Sequence, residues 1–327
     1  MRRTLAIFAA CLLSSVFCLL SSAAPLPGYE DFRRVDRTRR LTGQMLTAEL
    51  LKVSQTDAEL ISRTAKEHAD DPKMLWGAAE LLVDWTGRRE FYERALAANG
   101  TNVIVATRFV CAAAKQGDAA VALPWLRYCR KQDNDNTVPW LAELWLLRAR
   151  GQPTVLSNAP PVWTTNFRDY SVEASRARIR LLEAAGYSRY AARRLGFTPD
   201  SPAIVMARDL CKPPVNETTA TLLKDTAQSL QQRPQFLLSE FVGETIERTL
   251  MGMRPDADTS VEVRFRSVEL DKRREELKDL LAEVEHNTVD FATEAQMVQY
   301  FDDVLDKGEE TAMKRLAEAV RGKPSAP

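Results

Sequence analysis

Phe109-Val110-Cys111-Ala112-Ala113-Ala114-Lys115-Gln116-Gly117-Asp118-Ala119-Ala120-Val121-Ala122 is the stretch that decides the fold. An apolar run with helical spacing ends at a glycine, and a second apolar run begins beyond it. Gly151 and Gly186 each end one helical pattern and precede more chain of the same kind, 34 and 35 residues further on. Aligning on these three glycines brings Val110, Leu144 and Ile179 into register, and likewise Ala113, Leu147 and Leu182. A small residue follows the turn at Ala122 and Ala191, where close helix crossings are expected, and a leucine comes one turn later at Leu126 and Leu195. A fixed period of this size is the mark of stacked supersecondary units.

The pattern resembles the tetratricopeptide repeat, a 34-residue helix–turn–helix unit. Phe91-Tyr92-Glu93-Arg94-Ala95-Leu96 is similar to the family's second helix and Lys115-Gln116-Gly117-Asp118 to its turn. Trp140, after Pro139, stands where a tryptophan often opens the first helix, and Ala65 to Pro72 resembles the end of a second helix. The resemblance covers residues 43–203 and departs from the family in two places. Ala65 and Ala95 are only 30 apart, and Pro153, Pro160 and Pro161 leave room for one helical turn at most after Gly151. The expected fold is therefore all-α, an irregular array of tetratricopeptide-like hairpins followed by a C-terminal helical region over 204–327.

Working outward, residues 43–54 read as helical from Met45, Leu46, Leu50 and Val53. Thr56-Asp57-Ala58-Glu59 reads as a capping box, and Asp71-Pro72 closes one helix and opens the next. Upstream, residues 24–42 hold five arginines among three acids and are expected to be an extended linker. Residues 1–23 carry Arg2 and Arg3, an apolar run from Leu5 to Leu20, and Ser21-Ser22-Ala23, the layout of a secretory signal peptide cut after Ala23. An exported protein, periplasmic or secreted, is expected, with no stable membrane span after cleavage; an uncleaved N-terminal anchor is the alternative. Downstream, helices are expected at about 203–211, 217–231 and 234–251. A long helix over 260–285 should carry Phe265, Val268, Leu277, Leu280, Leu281 and Val284 on its apolar side, and a final hairpin should turn at Gly308. Alternation of Val261, Val263 and Phe265 leaves a short strand open at the start of that long helix.

The chain has 45 basic and 45 acidic side chains. Two arginines and no acid lie in residues 1–23, so the remainder carries a formal charge of −2. That balance lacks the basic footprint of a nucleic-acid binder. Cys111, Cys129 and Cys211 stay after cleavage and read as small buried hydrophobes. His68 and His286 lack the paired spacing of a zinc helix and read as surface or capping residues, and no phosphate loop, dinucleotide fingerprint or nucleophile elbow occurs. No metal or cofactor is expected.

What the resemblance implies for function is a concave surface lined by the first helix of each pair. Carried across, the phase places Lys115, Trp145, Arg148, Arg176 and Arg180 there, with Glu173 and Glu183 nearby. Arginine forks and a flat aromatic suit an acidic or C-terminal peptide. The competing reading of Arg176, Arg180, Glu173 and Glu183 is a solvated helix face. The expected role is a scaffold for a protein or peptide partner. One alternative is an exported helical hydrolase using a carboxylate such as Glu143, between Trp140 and Trp145; another is a structural partner whose 260–285 helix pairs with a second copy.

Overall fold

A computed structural model describes residues 26–42, 55–153, 156, 160–161, 164–197, 201–212, 215–232, 236–253 and 260–321. Within them the protein is all-α, with fifteen helices and one isolated bridge, Asn136 to Asn166. The helices are α1 (Tyr29–Thr42), α2 (Ala58–Glu67), α3 (Pro72–Leu81), α4 (Trp85–Ala98), α5 (Val103–Lys115), α6 (Ala119–Gln132), α7 (Val138–Ala149) and α8 (Ser171–Ala184). They continue as α9 (Arg189–Gly196), α10 (Pro202–Leu210), α11 (Glu217–Gln232), α12 (Leu237–Gly252), α13 (Val261–Phe291), α14 (Glu294–Lys307) and α15 (Glu309–Arg321).

The three aligned glycines make the same turn. Each has positive φ, +72° at Gly117, +65° at Gly151 and +90° at Gly186, a conformation that costs a side chain dearly. In each, the residue after the glycine donates back to the carbonyl five positions upstream: Asp118 to Ala113 (3.0 Å), Gln152 to Leu147 (2.9 Å), Tyr187 to Leu182 (3.0 Å). The glycines themselves donate to Ala114, Arg148 and Glu183. This paired pattern satisfies the last carbonyls of a helix. The aligned Val110, Leu144 and Ile179 are all buried.

The stacking is less regular than the turns. α5 lies against α6 and α7, but the main partners of α8 are α9 and, from far earlier in the chain, α3. Two glycines make the approaches possible. A Cβ on Gly77 would sit 2.6 Å from the Ala177 carbonyl oxygen, and one on Gly196 would sit 2.9 Å from the Ile179 nitrogen. After Gly151, the described residues up to Tyr170 form no helix. They are tied to the α6–α7 turn by Thr137 N–H to the Asn166 carbonyl (2.7 Å) and Tyr170 Oη to Asp133 (2.7 Å).

The C-terminal helices close around this body. Val298, Phe301 and Leu305 of α14 belong to the same buried cluster as α3 to α9. Leu141 and Leu144 of α7 join a second cluster with α10, α11 and α12. A third joins Leu277 and Val284 of α13 to Met313, Leu316 and Val320 of α15. Gly308, at φ +86°, turns the last hairpin as expected.

Four expectations are corrected. The lead-in is helical from Tyr29 to Thr42, because Phe32 and Val35 bury on one side and Tyr29 and Phe32 meet the Tyr190 ring edge-on. The α2 cap is Asp57, not Thr56: its carboxylate accepts from the Glu59 and Leu60 amides, both 3.0 Å away. α13 begins as helix at Val261, with no strand, and runs on to Phe291. Phe265 and Val268 do not share the buried side with Leu277 and Val284, being 68% and 67% exposed. The signal-peptide reading, the cut before Ala24 and the 43–54 helix lie outside the described residues. No helix among the described residues is long and apolar enough to cross a membrane.

Candidate functional site

A cleft of about 410 Å³ opens between α8, α9 and α14. Arg176, Ile179, Arg180 and Glu183 come from α8, Arg193 from α9, and Gln299, Asp302 and Asp306 from α14. Two of the five residues expected at a binding surface, Arg176 and Arg180, therefore meet here. Arg176 Nη2 donates to Asp306 Oδ1 (2.8 Å) and to the Leu305 carbonyl (3.1 Å). Arg180 Nη2 lies 2.6 Å from Asp71 Oδ2, the cap of α3. Both guanidinium side chains are 52% exposed. Arg193 sits deeper, donating to Asp302 (2.7 Å) and Glu183 (2.6 Å). Burial alone would lower its pKa, but these two acids outweigh it and raise it.

The other three expected residues go elsewhere. Arg148 Nη1 donates to the Asp209 carbonyl near the end of α10 (2.7 Å), so it fastens α7 to α10. Trp145 is half-buried at the edge of the main core, and Lys115 is exposed at the end of α5. The difference arises because α8 leaves the line of α5 and α7 to lie on α3. Arg193, from a second helix, had no place in a reading that looked only at first helices.

A second charged constellation lies outside the residues expected from sequence. The Glu80 and Arg108 side chains are only 2% and 4% exposed. Arg108 donates to Glu80 through Nε (2.8 Å) and Nη2 (2.6 Å), and Tyr92 Oη (2.8 Å) and Trp76 Nε1 (3.2 Å) complete the carboxylate's shell. Burial would raise the Glu80 pKa; the Arg108 charge and hydrogen bonds overcome this and hold it at about 2. The Arg108 Nη1 reaches Ser171 (3.4 Å) and Ser201 (3.5 Å), so one guanidinium joins α3, α5, α8 and the α10 cap. Arg178 lies nearby, 5% exposed, bonded to Ser175 (2.9 Å), with its Nε atom unbonded. Its burial, helped by repulsion from Arg108 and opposed by Glu80, lowers its pKa to about 10. The signal in the sequence is a charge inside an apolar run, as in Ala78-Ala79-Glu80-Leu81-Leu82.

Catalytic candidates are held in structural contacts. Glu143 pairs with Arg130, whose guanidinium lies 3.7 Å from the Trp140 ring centre. Glu80, ionised down to about pH 2, is far from the range in which a carboxyl exchanges protons efficiently near neutrality. Burial pushes the Cys129 and Cys211 thiols up to about 12 and Cys111 higher still. His68 caps α2, its Nδ1 3.0 Å from the Thr64 carbonyl oxygen. Among the described residues, no group of three or more His, Cys, Asp or Glu is arranged to hold a metal. Comparison with protein-family models, with curated proteins and with solved structures finds no match.

Proposed function

We propose that this chain is an exported scaffold of tetratricopeptide-like helix pairs that holds a protein or peptide partner by its carboxylates in the α8–α9–α14 cleft. The observation that carries the reading is the state of Arg176 and Arg180: half-exposed, side by side on α8, and paired with the exposed Asp306 and the partly buried cap Asp71. Exposed ion pairs contribute only about 0–1 kcal/mol. An incoming carboxylate that takes both prongs of a guanidinium therefore replaces Asp306 or Asp71 at small cost. Arg193, gripped by two acids, forms the rigid floor. The repeat resemblance is supported by the shared turn at Gly117, Gly151 and Gly186; export rests on the layout of residues 1–23.

The test is a capture experiment from cell-envelope extract, using the chain from Ala24 onward and its Arg176→Gln/Arg180→Gln variant side by side. A partner retained by the parent and lost by a folded variant supports the cleft. An identical set of captured proteins removes it.

A further inference from the structure

α13 is attached to the body with the wrong face outward. A helix on a globular protein normally buries its apolar stripe and shows its charges to water. On the body side, Leu270, Leu277 and Val284 form a narrow buried line at seven-residue spacing. Beside them a ladder of ion pairs joins α13 to the row of glutamates on α12. Arg266 Nε meets Glu247 (2.9 Å), Arg273 Nε meets Glu240 (2.6 Å), and Arg274 Nε meets Glu244 (3.3 Å). On the opposite side, about half a turn round, Val261, Phe265 and Val268 stand at i, i+4 and i+7. They are 80%, 68% and 67% exposed. Three large apolar side chains aligned on one face are a docking stripe, whereas scattered ones are ordinary surface.

The flanks say what covers it. Glu262, Glu269 and Glu276 recur at seven-residue spacing along one edge of the stripe, all exposed, with Glu269 and Glu276 sharing Arg266 and Arg273 with the body-side ladder. The other edge carries Arg264, Asp271 and Glu275, the two acids held by Arg248 and Lys278. Beyond Val268 the line of the stripe continues with exposed Lys272 and Asp279, which leaves the face acidic on balance. In paired helices, residues flanking the apolar seam choose the partner. A second copy fits poorly antiparallel, where the glutamate rows face each other; in parallel, the attraction of Arg264 to Glu269 is offset by repulsion between Asp271 and Glu276.

We infer that the Val261–Phe265–Val268 stripe of α13 docks an amphipathic helix of another protein, one whose apolar seam is edged by lysine or arginine. This surface is separate from the arginine cleft and takes the opposite charge.

The test uses three synthetic helical peptides with one leucine seam, edged by lysine, glutamine or glutamate, titrated into the full chain. The lysine-edged peptide should bind at least tenfold more tightly than the glutamate-edged one, and more weakly as salt rises. Phe265→Ser, or separately Val268→Thr, should reduce that binding tenfold or more with an unchanged melting curve. Glu262→Gln/Glu269→Gln/Glu276→Gln should remove the preference among peptides, while Arg176→Gln/Arg180→Gln should leave binding intact. Equal binding of all three peptides, no binding, or indifference to Phe265→Ser would overturn the inference. So would sedimentation of the free chain as a dimer that Phe265→Ser dissolves, since the stripe would then belong to a second copy.

Discussion

Glu80, Arg108 and Arg178 lie in one buried cluster but make opposite contributions to stability. Glu80 is ionised and fully bonded, so Arg108→Met strands a buried carboxylate and should cost about 3–5 kcal/mol. Arg178 gives up solvation and leaves Nε unbonded, so Arg178→Met should leave stability unchanged or raise it. Urea melts of the two variants check this, and an equal loss in both would refute the distinction. The same cluster sets the acid limb of stability. The folded pKa of Glu80 is about 2, against an ordinary 4.5. Its contribution, about 3 kcal/mol, is therefore fully present above about pH 4.5 and disappears as pH falls toward 2. Glu80→Gln should flatten that limb of a pH–stability curve. Single residues are unevenly legible: the turn glycines announce themselves because few other residues adopt their φ, while the only mark of a buried charge such as Glu80 is the apolar run around it, which does not name its partner.

At the level of elements, close approach decides the packing. Gly77→Ala drives a methyl group against the Ala177 carbonyl, and overpacking of this kind costs about 1–3 kcal/mol. Gly252→Ala, in a helix with nothing within 4 Å, is the control and should be neutral or stabilising. Thermal melts that fell equally for both would mean that α3 and α8 do not touch there. Helix positions were readable from period, caps and proline, as at Asp71-Pro72 and Gly308. α1 reads as a linker in sequence because its five arginines outweigh the Tyr29, Phe32 and Val35 spacing on which it packs. Spacing alone does not separate the two apolar faces of α13, since a stripe's direction depends on which helix lies beneath it.

The whole molecule is a row of hairpins that folds back on itself. α8 returns to α3, and α14 closes over α8 and α9, so Arg176, Arg180 and Arg193 collect in a cleft and not along a continuous concave surface. Period along the chain could not reveal that return, because it is set by contacts between residues a hundred positions apart, such as Gly77 and Ala177. It also explains why Arg148 fastens α10 while Arg176 and Arg180 face solvent. Export is checked at this scale too: envelope-derived protein should begin at Ala24 on N-terminal sequencing, and an intact Met1 would mean an anchored chain. The most direct measurement is a calorimetric titration of the captured partner into the parent and into Arg176→Gln/Arg180→Gln, at low and high salt. Expected are an affinity at least tenfold lower in the variant, equivalent to about 1.4 kcal/mol, and a parent affinity that weakens with salt. Unchanged affinity and salt dependence in a variant that melts like the parent would contradict the cleft as the site of binding.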